Sequence, residues 1–215
     1  MVFGIITAIA ACPAIVGTNE AVMQGQRQNM KERHRGLKTS LYVNCVTASR
    51  GGAEVNGGRV VLRDNILIVA TSTKAYLEDC ENDHPFAGYY LPYPERSWGR
   101  QGEGLVSTIS DDPPQLNWIY VNIETHELKY GTRLDSEDHI TGPWDCTKVD
   151  KRLTLEGWEG FIAVYVGPGE WQLFFDRNDD GLAGMFPEGT RTVEVELVRR
   201  ERRNRRQDPE PLGPD

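Results

Sequence analysis

From residue 38 onward the apolar side chains of this chain tend to recur at every second position, in short runs broken by Gly, Pro, Asn and Asp. A period of two sends alternate side chains to opposite faces, so the chain is built for half-buried β-strands and not for amphipathic helices. Residues 41–46 (LYVNCV) read as a strand, and 59–71 (RVVLRDNILIVAT) as a hairpin on the two-residue turn Asp64-Asn65. Residues 74–83 are polar and suit a short helical turn. Residues 88–94 (GYYLPYP) are aromatic and broken by proline, which fits an edge strand or an extended loop. Strands are expected at about 104–109, 117–123 and 127–132, the last two joined by Glu124-Thr125-His126. A second hairpin spans 160–175, with its turn dictated by Gly and Pro. In 191–199 (RTVEVELVR), Val193, Val195 and Leu197 face one side, Glu194 and Glu196 the other. About nine short strands with closely spaced turn signals predict an antiparallel β-sandwich or barrel over 38–198 as one domain, with no internal repeat.

The ends are different in kind. The first 18 residues carry no charge, and the run lacks the basic lead of a signal peptide. Interrupted by Pro13, it is also short for a membrane span. Gly4, Ala8 and Cys12 recur every four residues, as do Gly17, Ala21 and Gly25, and each set lines one face of a helix as a shallow groove. Arg33, His34 and Arg35 followed by Gly36 are helix-end signals. An N-terminal helical segment over 1–37 is therefore expected, either covering the β domain or docking on a protein partner or an anionic membrane. In the docking reading Gly17, Ala21 and Gly25 make the contact, and Arg27, Lys31, Arg33, Arg35 and Lys38 meet headgroups, with Cys12 a palmitoylation candidate.

Net charge sharpens this division. The total is −8, yet residues 1–50 hold six Lys/Arg against two acids, and 199–215 six Arg against four acids. Residues 51–198 hold 12 basic and 26 acidic side chains, so the body repels phosphates and is poorly suited to nucleic acid. The run RRERRNRR concentrates Arg199, Arg200, Arg202, Arg203, Arg205 and Arg206. It reads as a nuclear-import signal or a weak polyanion contact, or as a continuation of the last strand, with a Pro-rich tail behind it. Residues 199–215 are thus set apart as a tail.

Few motifs carry chemistry. Asp176, Asn178 and Asp180 with Gly181 match the opening of a calcium loop, but Pro187 occupies the twelfth position and a strand precedes the loop. A turn that caps its own backbone is the alternative. Glu124 and His126, with His139, Asp138 and Asp145, offer the parts of a 2-His-carboxylate site or an acid–base pair. Trp144, Trp158 and Glu159 lie in GPWDCT and LTLEGWEGF, segments that suit a groove for a peptide or sugar and equally suit tight corners with buried indoles. Trp98, Trp118 and Trp171 complete the tryptophans, most of them expected in the core. No glycine-framed nucleophile and no phosphate-binding glycine loop occurs. The four cysteines show no metal-ligand spacing and no Asn begins a glycosylation sequon, so a reduced, cytosolic protein is expected.

The segments FGIITAIAACPAIVGT, GPWDCT, LTLEGWEGF and FDRNDDG resemble a family of hypothetical proteins from filamentous ascomycete fungi, along residues 1–200. That resemblance implies a fungal, intracellular origin and assigns no activity. The functional expectation is a non-enzymatic binding or scaffold protein: a β body with an N-terminal helix that docks on a membrane or partner, cytoplasmic and membrane-associated. The alternatives are a metal-dependent β domain, with calcium as the implied ion, and a weak polyanion binder acting through the Arg run, with nuclear localisation.

Overall fold

Thirteen strands are seen in a computed structural model that describes residues 35–71, 83–93, 103–111 and 114–202. They are β1 (Thr39–Asn44), β2 (Arg59–Arg63), β3 (Ile66–Ala70), β4 (His84–Pro85), β5 (Gly88–Pro92), β6 (Glu103–Asp111) and β7 (Pro114–Val121). After these come β8 (Leu128–Gly131), β9 (Trp144–Cys146), β10 (Leu153–Leu155), β11 (Phe161–Gly167), β12 (Glu170–Phe175) and β13 (Thr192–Glu201). Two helical turns, α1 (Arg50–Val55) and α2 (Arg133–Ser136), sit in connections. The chain divides into a unit 1–37 and a unit 38–215, and only residues 35–37 of the first are described. The expected N-terminal helix, the groove residues Gly17, Ala21 and Gly25, Arg27 and Lys31 lie outside the described residues, as do Trp98 and most of 74–83.

The sheet closes on itself. β12 pairs with β11, β11 with β13, β13 with β1, β1 with β2, β2 with β3, and β3 back to β12. A closed ring leaves no free edge among those six strands. A four-stranded meander, β5–β6–β7–β8, is attached to the ring by one residue pair at each end, Thr39 with Gly88 and Ile66 with Lys129. β4 pairs with β2, and β9 and β10 form a separate ribbon. The protein is thus mainly β and antiparallel, as expected. The count exceeds nine because β4, β9 and β10 span only two or three residues, too few to establish an alternating pattern.

Local chemistry fixes the corners. Asp64 and Asn65 have φ of 48° and 64°, the left-handed pair that a two-residue turn needs to match strand twist. Glu124 and Thr125 form a turn whose amides donate to Asn122 Oδ1 at 2.8 and 3.0 Å. Ser49 accepts from the Gly52 amide at the start of α1, and Asp135 accepts from the Thr132 amide and hydroxyl at the start of α2. The Thr132 bonds hold the Asp135 carboxyl below its usual range.

Inside the ring one apolar cluster gathers Leu41 and Val43 of β1, Trp144, Phe161, Trp171, Phe175, and Val193, Val195 and Leu197 of β13. Burial alternates along β13 with the glutamates outward, as the sequence predicts. A smaller cluster, Ile162, Val164, Phe174 and Leu182 with Phe186 against it, lies on the opposite face of the β11–β12 hairpin. The loop after β12 supplies Leu182 and Phe186. Both faces of that hairpin are therefore buried over 161–164 and 171–175, which fits an apolar run there broken only by the buried Gln172.

Candidate functional site

One end of the β1–β13–β11 wall forms an open cleft of about 270 Å³. The strand registers assemble it: Asn44 stands opposite Glu196, and Phe161 opposite both Val195 and Phe175. Val46 and Thr47 after β1, Trp158 to Gly160 before β11, and Asp176 and Asp179 after β12 complete its rim. Five carboxylates line it: Glu159, Asp176, Asp179, Glu194 and Glu196. Two apolar side chains stand in solvent beside them, Val46 at 82% exposure and Trp158 at 42%.

Trp158 is delivered by a tight turn. Leu155 and Trp158 exchange two backbone hydrogen bonds around Glu156 and Gly157, whose φ values of 53° and 82° are both left-handed. The indole Nε1–H then donates to the Asp176 carbonyl at 2.8 Å. Gly160 makes this possible, since a Cβ there would sit 1.9 Å from the indole nitrogen and 2.5 Å from the Asp176 oxygen. Glu156 carries a bidentate pair with Arg177 at 2.7 and 2.9 Å, so the turn is also bound to the loop behind it.

The carboxylates fall into two groups. Arg152 joins Glu159 and Glu196, each at 3.0 Å, and Asn44 Nδ2 donates to the other Glu196 oxygen at 2.6 Å. Asp176 is 5% exposed, and its oxygens accept from the Asp180 amide at 3.2 Å and the Gly181 amide at 2.7 Å. Asp180 accepts from the Leu182 amide at 2.9 Å. The calcium-like motif thus uses Asp176 and Asp180 to cap its own turn, while Asn178 lies exposed between them. Asp179 and Glu194 are the exposed acids of the cleft wall.

The other sequence candidates disperse. Trp144 is buried in the core, its ring stacked on Phe161 at 6.3 Å, and it does not line the cleft that Trp158 and Glu159 share. His126 Nδ1 lies 3.2 Å from the Phe175 carbonyl, Glu124 is exposed in its turn, and His139 stacks on Tyr120 at 5.2 Å. Among the described residues no group of three or more His, Cys, Asp or Glu side chains is placed to hold one ion. Arg199 and Arg200 continue β13 in register with β1. Arg199 is 6% exposed, donating to Thr39 Oγ1 at 3.2 Å with its guanidinium 4.2 Å over Tyr90. Arg202 is exposed, and Arg203, Arg205 and Arg206 lie outside the described residues.

Sequence reasoning passed over Asn44, Val46, Arg152 and Glu194. The outward face of β13 was legible in its alternating glutamates, but which loops that face meets depends on pairings between distant segments.

The closed antiparallel sheet and its matched span decide the family. A model of the fungal β-trefoil domain matches residues 17–203. The chain belongs to that family. The fungal character read from its sequence words agrees, and the fold is therefore a β-trefoil rather than a two-layered sandwich. No curated protein and no solved structure matches the chain. β-Trefoil domains are often binding or scaffold modules, which is compatible with a non-enzymatic role for this one.

Proposed function

We propose that this β-trefoil is a non-enzymatic binding module whose ligand site is the Trp158-edged acidic cleft, and that the ligand presents a cationic group such as a lysine or arginine side chain. The observation that carries the reading is Trp158 itself. A large apolar ring is held half-exposed by a hydrogen bond to Asp176, beside a wall that includes Glu194 and Asp179. An aromatic face next to carboxylates attracts a cation by its quadrupole and by charge, and favours guanidinium and ammonium groups. Glu159 and Glu196 are held in place by Arg152, so the wall is organised before a ligand arrives.

The test is calorimetric titration of the full chain with a short Lys/Arg-rich peptide, its Glu-substituted counterpart, and calcium alone. Saturable binding of the basic peptide that Trp158→Ala reduces about tenfold or more supports the reading. Binding of calcium with no response to the basic peptide would turn the cleft into a cation-loop site centred on Asp176, Asn178 and Asp180. Equal heats from basic and acidic peptides, or full affinity in Trp158→Ala, would remove it.

A further inference from the structure

β13 carries a charge pattern that is the complement of itself. Its side chains alternate, with Val193, Val195, Leu197 and Arg199 buried and Glu194, Glu196, Val198 and Arg200 on the outward face. Arg202, exposed one step past the strand, prolongs the ladder, its amide donating to the Lys38 carbonyl at 3.3 Å. Along this face run two acids, then Val198, then two arginines. Val198 stands opposite Tyr42 of β1, and both are half-buried, so the middle of the strip is apolar. Arg200 lies 4.7 Å over the Tyr42 ring. Among the described residues, the side chains of Glu194, Arg200 and Arg202 make no ion pair. Glu196 holds Arg152 and Asn44, and the Arg152 charge is shared with Glu159. The acidic half of the strip is the wall of the cleft that Trp158 edges.

We propose that the cationic partner of the cleft is a second copy of this chain. Two β13 strips meet face to face and antiparallel, about a two-fold axis at Val198. In that register Glu194 of each copy meets Arg202 of the other, and Glu196 meets Arg200. The inference rests on the cleft as a cation site and names its occupant. A two-fold contact requires a patch that complements itself. A strip of one sign fails that condition, because like charges would face each other across the axis. Here the acidic half of one copy answers the basic half of the other. Because both halves share one outward face, the contact closes at two copies instead of propagating head to tail. The net charge of −8 opposes association at long range. It is screened beyond about 8 Å at physiological ionic strength, so the charges in contact decide. Trp158 and Val46, exposed at the acidic end, offer apolar surface to the stems of the incoming arginines.

The experiment is sedimentation equilibrium of the full chain over a concentration series. Glu194→Arg, Arg202→Glu and an equimolar mixture of the two variants accompany the parent chain. Both substitutions are at exposed positions, and circular dichroism spectra matching the parent verify folding. The parent is expected to pass from monomer to dimer with no larger species. Each variant alone sets like charges against each other and should dimerise about tenfold or more weakly. In the mixture each altered side chain meets its opposite, so the dimer should return. A parent that stays monomeric, a variant that dimerises as well as the parent, a mixture that stays monomeric, or growth beyond two copies would each overturn the proposal. The peptide titration of the cleft separates the two readings. Saturable binding of the basic peptide to a chain that stays monomeric leaves the cleft and removes the dimer, whereas failure of both measurements removes both.

Discussion

The Trp158 indole donates to the Asp176 carbonyl oxygen at 2.8 Å, and the contact exists because residue 160 has no side chain. Gly160→Ala is expected to push the indole off this acceptor. Relief of the overlap requires backbone movement at the start of β11, so stability should fall by about 1–3 kcal/mol in urea unfolding. Any ligand held by the Trp158 face should lose affinity in the same variant. Trp158→Phe keeps the ring and removes the donor, at a cost of about 1 kcal/mol.

Asp176 tests the turn. Asp176→Ala leaves the amides of Asp180 and Gly181 without their acceptor, and the expected destabilisation is about 1–3 kcal/mol. Asp176→Asn retains an acceptor oxygen and should be milder. Chemical denaturation of the two variants side by side measures the difference.

Neighbouring arginines should behave in opposite ways. Arg199→Leu loses the hydrogen bond to Thr39 and the stack on Tyr90 from a buried site, with an expected cost of about 2–4 kcal/mol. Arg200→Gln, exposed one residue later on the same strand, should stay within about 0.5 kcal/mol. Their melting curves separate a structural arginine from a surface one.

Tyr120 gives the protein an alkaline weakness. Burial, reinforced by the charges of Asp135 and Glu127, raises the phenol above its ordinary range. The folded state then binds the proton more tightly than the unfolded state. The stabilisation is fully present below the unfolded value of about 10 and is lost as pH rises through the folded one. Unfolding followed against pH should show this loss, and Tyr120→Phe should flatten it.

Much of the fold was legible because its signals are local. Asp64-Asn65, the Gly-Pro-Gly turn after Val166 and the alternation of Val193, Val195 and Leu197 each act within a few residues, and each appears where expected. A barrel was among the expected outcomes, but which strands close it was not legible. Closure rests on β3 meeting β12 and β1 meeting β13, and no local pattern encodes which strands become neighbours. Of the cleft, Trp158, Glu159 and Asp176 were singled out by type and spacing, whereas Asn44 and Glu194 join it only through strand register. Trp144 and Trp158 sit in similar Gly-rich words, yet the first stacks on Phe161 in the core and the second stands in solvent. The turn at Glu156-Gly157, which turns Trp158 outward, accounts for the second.

The pairing of β1 with β13 also governs when this fold can form. The strand nearest the start of the ring takes its partner from residues 196–201, so every other ring strand is synthesised before the seam can close. A nascent chain halted short of β13 would leave the outer edges of β1 and β11 unpaired and the side chains meant to meet Val193, Val195 and Leu197 open to solvent. Such long-range closure makes for slow folding. Completion of the barrel therefore waits until the ribosome has added β13, the last strand of the ring in chain order.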